Sequence, residues 1–122
     1  MDAGGGERRR RVLVVEDEML VAMLIEDMLD ELGYEVVGPA LRVQEALALA
    51  RSELFDLAIL DVNLDGVPSF AVADILRERN IPFVFATGYG PEGVATDHRG
   101  AGVVKKPFQL QDLSRALEAF ES

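Results

Sequence analysis

Each of four short apolar runs in the sequence is followed directly by residues that can do chemistry. These residues are Glu16 and Asp17 after the first run, Asp61 after the second, Thr87 after the third, and Lys105 and Lys106 after the fourth. If the runs are parallel strands of one sheet, their carboxyl ends share an edge, and ligands bind beyond that edge. The sequence therefore predicts a site with three carboxylates, a hydroxyl group and an ammonium group.

The three carboxylates of Glu16, Asp17 and Asp61 would repel one another by several kcal/mol, and a hard dication would remove that repulsion. The chain has no cysteine, and its one histidine, His98, lies in a glycine-rich stretch. Oxygen ligands therefore remain, and they favour Mg²⁺ or Mn²⁺. Glu16 and Asp17 alone would also suit an ordinary strand-to-helix turn, where acids favour the helix N-terminus. The third acid, on another strand, favours the metal site.

A carboxylate beside such a metal can also act as a nucleophile. Attack on a phosphoryl group gives an aspartyl phosphate, whose oxygens are stabilised by the metal and by nearby cations. Lys106 can supply a cation and Thr87 a hydroxyl donor. The Lys106–Pro107 bond is a candidate cis peptide, which would aim the lysine into the site. The alternative for the two lysines is a solvated strand end, but they are the only lysines in the chain.

The elements that position these residues alternate between strand and helix patterns. Strands are predicted over 12–15, 35–38, 57–60, 83–86 and 103–104, and helices over 18–32, 42–53, 69–78 and 110–120. Ser69 is a candidate N-cap of the third helix. Strict alternation implies a doubly wound, five-stranded parallel sheet with helices on both faces. A fourth helix, between Gly88 and Gly102, is expected to be short or poorly ordered because that stretch is rich in glycine.

The first helix carries more apolar residues than one buried face requires. Its predicted inward stripe is Val21, Leu24, Ile25, Met28, Leu29 and Leu32. Met19, Leu20 and Met23 fall outside that stripe, next to the predicted site, and suggest a surface on which a partner docks. The alternative is a set of scattered exposed apolar side chains.

Composition limits the class of protein. The chain has 122 residues, enough for one domain, which we place at residues 11–121 after a disordered basic tail at residues 1–10. The net charge of −10 argues against nucleic-acid binding. No apolar run approaches the ~20 residues of a membrane span, and the N-terminus lacks the apolar stretch of a signal peptide. We therefore expect a cytoplasmic protein that does not bind a membrane.

With these residues in this order, the sequence resembles a response-regulator receiver domain of the CheY-like type over residues 11–121. The segments that carry the resemblance are Val-Val-Glu-Asp-Glu at 14–18, Leu-Asp-Val-Asn-Leu-Asp-Gly at 60–66, Thr87, and Lys-Pro-Phe at 106–108. The resemblance implies a flavodoxin-like sheet with strand order 2-1-3-4-5. It also implies that Asp61 accepts a phosphoryl group from the phosphohistidine of a histidine kinase or a phosphotransfer protein.

The same resemblance implies roles for the other site residues. Asp17 would hold Mg²⁺ directly and Glu16 through water, and Asn63 would offer the metal its backbone carbonyl. Lys106 and Thr87 would bind phosphoryl oxygens. The face of the first helix with Met19, Leu20 and Met23 would meet the kinase or phosphotransfer helices.

A shorter motif, Phe-Ala-Thr-Gly-Tyr-Gly at 85–90, resembles the FAT GUY subgroup of receivers, which is often associated with kinases of the HWE type. Many receivers have an aromatic switch residue three positions before the site lysine, where this chain has Val103. Tyr89 is a candidate substitute; its alternative role is that of a partly exposed loop aromatic.

The resulting hypothesis is a stand-alone response regulator in two-component signalling, a phosphoacceptor rather than an enzyme. It would act as a phosphorelay shuttle, a sink or a diffusible messenger, as a monomer or weak dimer. A small Mg²⁺-dependent phosphatase with an aspartate nucleophile is the main alternative. That class usually needs a general acid two residues after the nucleophile, where this chain has Asn63. A flavodoxin-like FMN binder would need a phosphate-binding loop where Glu16, Asp17 and Glu18 stand.

Overall fold

A computed structural model describes residues 9–64, 66–87, 102–105 and 109–118. The elements, in chain order, are β1 (Arg11–Val15), α1 (Met19–Glu31), β2 (Glu35–Ala40), α2 (Val43–Ser52), β3 (Leu57–Asp61), β4 (Asn63–Leu64), β5 (Val67–Pro68), α3 (Phe70–Glu78), β6 (Phe83–Thr87), β7 (Gly102–Lys105) and α4 (Leu110–Glu118). The fourth helix was predicted between Gly88 and Gly102, and residues 88–101 lie outside the described part of the chain. None of the described helices is long and apolar enough to cross a membrane.

Five strands form one sheet in the order β2-β1-β3-β6-β7, with every neighbouring pair parallel. Without the small β4–β5 hairpin, this is the predicted order 2-1-3-4-5. The central strand β3 is buried along its whole length, as expected of a parallel strand covered on both faces. The predicted fold class is therefore confirmed.

The core divides into two apolar layers, one on each face of the sheet. Along β1, Leu13 and Val15 pack on the α2 and α3 side, whereas Val12 and Val14 pack on the α1 and α4 side. The split follows from the alternation of side chains along a strand. Helices thus cover both faces, and the carboxyl ends of the strands stay available for a site.

The contact face of α1 differs from the predicted stripe. Ala22, Ile25 and Leu29 are buried, whereas Leu24, predicted to point inward, is 50% exposed. The buried stripe of α1 therefore runs through Ala22, Ile25 and Leu29, and Leu24 lies beside it. The prediction that Leu24 points into the core was therefore wrong.

Arg9 and Arg10, assigned to the tail from sequence, contact the folded body. The Arg9 guanidinium donates to the carbonyl oxygens of Gly33 (3.1 Å) and Tyr34 (2.9 Å), just after α1. The Arg10 carbonyl accepts a hydrogen bond from the backbone N–H of Glu35 at 2.8 Å. Both residues therefore contribute hydrogen bonds to the segment between α1 and β2.

A bulge in β2 sets the end of β1. Leu13 pairs with Val37 but Val15 pairs with Ala40, so β2 holds one extra residue there. The bulge contains Gly38 in the left-handed region, with φ of 97°. As a result, the Ala40 carbonyl accepts a hydrogen bond from the N–H of Glu16 at 2.9 Å.

Replacing Gly38 with alanine should lower the free energy of unfolding by about 1–3 kcal/mol or more. An added Cβ would lie 2.8 Å from the Ala40 nitrogen and 3.1 Å from the Val14 carbonyl oxygen. The matched control is Gly33→Ala, which has a similar φ of 92° but no atom within 4 Å of its Cβ. Urea denaturation should show a clearly smaller loss for the control. Equal losses would mean that backbone conformation alone, rather than crowding, limits Gly38.

Candidate functional site

The acidic residues after β1 form a tight turn into α1. Glu16 is buried, with 1% of its surface exposed, and its Oε2 accepts a hydrogen bond from the N–H of Glu18 at 3.1 Å. Asp17 is half-buried and Glu18 is exposed. The Glu16 carboxylate is therefore held by the backbone of its own turn, and exposure to solvent increases from Glu16 through Asp17 to Glu18.

Glu16, Asp17 and Glu18 each offer a carboxylate oxygen, and these oxygens lie within 4.8 Å of one another. Oxygens at this spacing suit a hard dication such as Mg²⁺, and the chemistry of the group fits the metal predicted from sequence. Glu18 was not among the predicted ligands. Its signal was present in the sequence as a third consecutive acid, but the spacing alone did not show that its carboxylate turns back toward the other two.

Asp61 ends the central strand β3 and is buried, with 7% of its surface exposed. The residue before it, Leu60, pairs with Val15 of β1, and Asp61 itself pairs with Ala86 of β6. Neighbouring strands are about 4.8 Å apart. Asp61 therefore stands on the strand next to the acidic turn, one residue beyond the last pair that joins β3 to β1.

The same ladder continues to the other predicted residues. Thr87 follows Ala86 at the end of β6 and pairs with Lys105 of β7. Lys106 comes directly after this pair, but Lys106, the predicted cis bond to Pro107, and Tyr89 lie outside the described residues. The cis peptide bond that the described residues contain joins Gly38 to Pro39, and the sequence analysis did not anticipate it.

Asn63, whose backbone carbonyl was expected at the metal, begins an antiparallel hairpin that the sequence analysis missed. It pairs with Pro68, and Leu64 pairs with Val67. Gly66, in the turn between these strands, has φ of 84°, the left-handed conformation that a tight turn needs. Strands of two residues are too short to give a periodic pattern, so only the turn glycine could have signalled the hairpin.

Ser69 stands at the N-cap position of α3, as predicted, but its side chain makes no capping hydrogen bond. Its hydroxyl instead donates to the carbonyl oxygen of Asp61, with an Oγ–O distance of 2.6 Å. The predicted capping role was therefore wrong. The hairpin brings the start of α3 back to the end of β3. The Ser69 hydroxyl therefore binds the Asp61 carbonyl instead of capping α3.

The exposed apolar surface on α1 is larger than predicted. Met19, Leu20 and Met23 are exposed, Leu20 to 81%, and Leu24 joins them. We call these four residues the α1 patch. It begins one residue after Glu18, so it borders the acidic turn.

The chain matches the response regulator receiver domain family over residues 12–118. Among curated proteins, it is 40% identical over 113 residues to the transcriptional regulatory protein PdtaR of Mycobacterium tuberculosis, covering 88% of this chain and 54% of PdtaR. It is 36% identical over 111 residues to the phyllosphere-induced regulator PhyR of Methylorubrum extorquens, covering 87% of this chain and 41% of PhyR. The chain thus spans about half the length of the curated relatives it matches.

Two solved structures of one similar protein are covered almost completely by the match. The solution structure of SdrG from Sphingomonas melonis Fr1 is 43% identical, covers 93% of this chain and 98% of SdrG, and superposes with a TM-score of 0.83. The BeF3-activated conformation of SdrG is 42% identical, covers 92% of this chain and 96% of SdrG, and gives a TM-score of 0.79. The parallel sheet, the acids at its carboxyl edge and these matches lead to one conclusion: the chain belongs to the response regulator receiver domain family of two-component signalling.

Proposed function

We propose that the chain accepts a phosphoryl group on Asp61 from the phosphohistidine of a histidine kinase or of a histidine phosphotransfer protein. The observation that carries this proposal is the position of Asp61. It is a buried carboxylate at the end of the central strand, next to a turn whose three carboxylates suit a divalent cation. Membership of the receiver family supports the same role.

The transfer forms one bond and breaks one. A carboxylate oxygen of Asp61 attacks phosphorus in line with the phosphohistidine nitrogen, so the O–P bond forms as the P–N bond breaks. The electron pair of the P–N bond stays on the imidazole nitrogen, which takes up a proton. The product is an acyl phosphate on Asp61 and a free histidine on the partner.

The charges around Asp61 oppose this reaction unless they are balanced. The acidic turn and Asp61 together would repel the incoming phosphoryl oxygens. Mg²⁺, when bound, supplies the positive charge that offsets this repulsion. In our proposal Asp17 holds the metal directly and Glu16 holds it through water. The carboxylate of Asp61 and the backbone carbonyl of Asn63 are the other protein ligands.

On the other side of Asp61, we assign Thr87 and Lys106 to the phosphoryl oxygens. The pairing of Thr87 with Lys105 supports this assignment, because it puts the end of β6 beside the end of β7. The Thr87 hydroxyl would donate a hydrogen bond and the Lys106 ammonium would donate a charge-assisted one.

The bond formed can be identified directly. The chain is incubated with acetyl phosphate and Mg²⁺, and its intact mass is followed. We expect a gain of one phosphoryl group that hydroxylamine removes, because hydroxylamine cleaves acyl phosphates and leaves phosphoserine and phosphothreonine intact. A modification that resists hydroxylamine would contradict an aspartyl phosphate.

We further propose that the α1 patch docks the phosphodonor protein. Four apolar side chains at the N-terminal half of one helix, beside the acidic turn, can lie against the helices that carry the donor histidine. The patch is placed so that a partner seated on it reaches the carboxyl edge of the sheet. Its role is therefore in the encounter, not in the chemical step.

Replacing Leu20 and Met23 with glutamate should slow phosphotransfer from a partner kinase by at least about tenfold, because losing about 1.4 kcal/mol of binding costs that factor. The reaction with acetyl phosphate should stay within twofold of wild type, since that donor needs no docking surface. The matched control is Leu54→Glu, which changes a residue that is 68% exposed and lies before β3, at the opposite edge of the sheet. Equal loss with both donors would contradict a docking role.

We propose that the phosphorylated chain then acts as a phosphorelay shuttle, a sink or a messenger. A pulldown that compares phosphorylated and unphosphorylated protein separates a messenger from a sink, and incubation of the phosphorylated chain with a second histidine protein tests for a shuttle. A messenger captures a target only when phosphorylated, and a shuttle passes its phosphoryl group on to a second histidine protein. A sink does neither.

A further inference from the structure

Ser69 is the one serine among the described residues whose surface is fully buried, at 0% exposure. A buried hydroxyl needs a hydrogen-bond partner, since leaving it unpaired costs free energy. Its Oγ lies 2.6 Å from the carbonyl oxygen of Asp61 and 3.3 Å from that of Val62. Asp61, the proposed phosphoacceptor, ends β3, and Val62 is the residue that follows it. The hydroxyl therefore acts on the backbone of the site, not on its own helix.

Backbone hydrogen bonds connect the same residue to the end of β3 and to α3. The N–H of Ser69 donates to the Val62 carbonyl at 2.9 Å, and the Ser69 carbonyl accepts from the N–H of Val72 at 3.0 Å. The N–H of Val62 in turn donates to the Ala86 carbonyl of β6 at 3.1 Å. Ser69 thus joins the end of β3 to the first turn of α3 and closes the loop that contains the β4–β5 hairpin.

We propose that Ser69 is a positioning residue for the metal and phosphoryl site. Through its hydroxyl it fixes the peptide group that follows Asp61, and by closing the loop it fixes the segment that contains Asn63. The inference rests on the proposed function, because it concerns the carboxylate of Asp61 and the carbonyl of Asn63 as ligands. Ser69 itself touches neither the metal nor the phosphoryl group.

The physical reason is preorganisation. Ligands that are already held in place lose little conformational freedom when the metal binds, so the binding free energy is not spent on ordering them. Without the hydroxyl, the Asp61 carbonyl loses its 2.6 Å donor, and the peptide group beside the nucleophile gains freedom to rotate. Residues that orient metal ligands typically change metal affinity by about 10–100-fold. Ser69 acts through the backbone, so we expect about 3–10-fold, somewhat below that range.

The test compares Ser69→Ala with Val72→Ala, which truncates a buried side chain of the same helix and leaves the hydroxyl in place. Mg²⁺ affinity is measured by calorimetric titration of the unphosphorylated protein, at a temperature at which thermal unfolding shows that both variants are folded. We expect the Mg²⁺ dissociation constant to rise about 3–10-fold in Ser69→Ala and to stay within twofold of wild type in Val72→Ala. Equal affinities in the two variants would overturn the proposal.

Two further measurements separate the hydroxyl from general destabilisation. The carbonyl ¹³C resonance of Asp61 should move upfield in Ser69→Ala and not in Val72→Ala, because only the first loses a hydrogen bond to that oxygen. Ser69→Thr keeps the hydroxyl and should restore Mg²⁺ affinity to within twofold of wild type. A folded threonine variant that binds Mg²⁺ as weakly as Ser69→Ala would overturn the proposal. If the added methyl group prevents folding, the comparison of Ser69→Ala with Val72→Ala decides alone.

Failure of this inference can be told apart from failure of the proposed function. If Asp61 accepts no phosphoryl group but Ser69→Ala still weakens Mg²⁺ binding selectively, the proposed function fails and the positioning role stands. If wild type is phosphorylated on Asp61 and Ser69→Ala binds Mg²⁺ as Val72→Ala does, the function stands and the positioning role fails.

Discussion

Replacing Asp61 with asparagine should lower the rate of phosphoryl incorporation from acetyl phosphate by more than about a thousandfold. Removing the nucleophile of an enzyme typically costs at least that factor. Asparagine has nearly the same shape as aspartate, so it should preserve the packing of a residue that is only 7% exposed. Its amide oxygen is a far weaker nucleophile than a carboxylate oxygen. The loss should therefore be chemical rather than structural.

The measurement is the intact mass of wild type and variant after equal incubation with acetyl phosphate and Mg²⁺. Asp27→Asn, an exposed acid on α1, is the matched control and should incorporate phosphoryl groups at the wild-type rate. The same comparison with a histidine kinase and ATP tests the protein donor. Undiminished labelling of Asp61→Asn would mean that another residue is the phosphoacceptor, and the proposed function would fail.

Replacing Asp17 with asparagine should raise the Mg²⁺ dissociation constant by at least about 10–100-fold, the loss seen when residues that merely orient a metal ligand are changed. The carboxylate of Asp17 lies within 4.8 Å of those of Glu16 and Glu18, and a neutral amide in its place removes a full negative charge from the group. Phosphoryl incorporation should fall with Mg²⁺ occupancy. Adding EDTA to wild type should have the same effect.

Thermal unfolding gives a readout of this site that does not depend on phosphorylation. At a Mg²⁺ concentration one hundred times the dissociation constant, binding should stabilise wild type by about 2.7 kcal/mol. For a domain of this size that corresponds to a rise in Tm of about 10 °C. At the same Mg²⁺ concentration a site weaker by about 10–100-fold gains only about 0.4–1.4 kcal/mol. Asp17→Asn should therefore show about half of this rise or less, whereas Asp27→Asn should show all of it. A full Mg²⁺-dependent rise in Asp17→Asn would rule out Asp17 as a ligand.

The ends of the strands were predictable because the signal for them is local. Val12–Val15 and Leu57–Leu60 are wholly apolar, as strands buried on both faces must be, and the first polar residue after each run marks where the strand leaves the core. Once the strands are parallel, those polar residues must meet at one edge. In the sheet, Asp61 pairs with Ala86 and Thr87 pairs with Lys105, so the ends of β3, β6 and β7 lie side by side.

Features that depend on contacts between distant residues were predicted less well. Leu24 fits the helical period of α1, yet it is exposed, because the face of the helix that packs on the sheet runs through Ala22, Ile25 and Leu29. Ser69 fits the pattern of a helix cap, yet its hydroxyl binds a carbonyl eight residues earlier. A sequence pattern indicates which side chains a segment carries, but it does not indicate which residues from other segments those side chains contact.

The sequence by itself therefore determined the alternation of strands and helices, the reactive groups and the edge of the sheet where they gather, because these follow from chain order and the parallel arrangement. The strand order was implied by the resemblance to receiver domains, and the sheet has that order. The tertiary structure alone decided three finer points: the carboxylate of Glu18 turns toward its neighbours, the α1 patch has four members, and a buried serine supports the strand that ends in Asp61. The last two depend on packing between elements, which no single segment of the chain encodes, and the first depends on the conformation of the turn after β1.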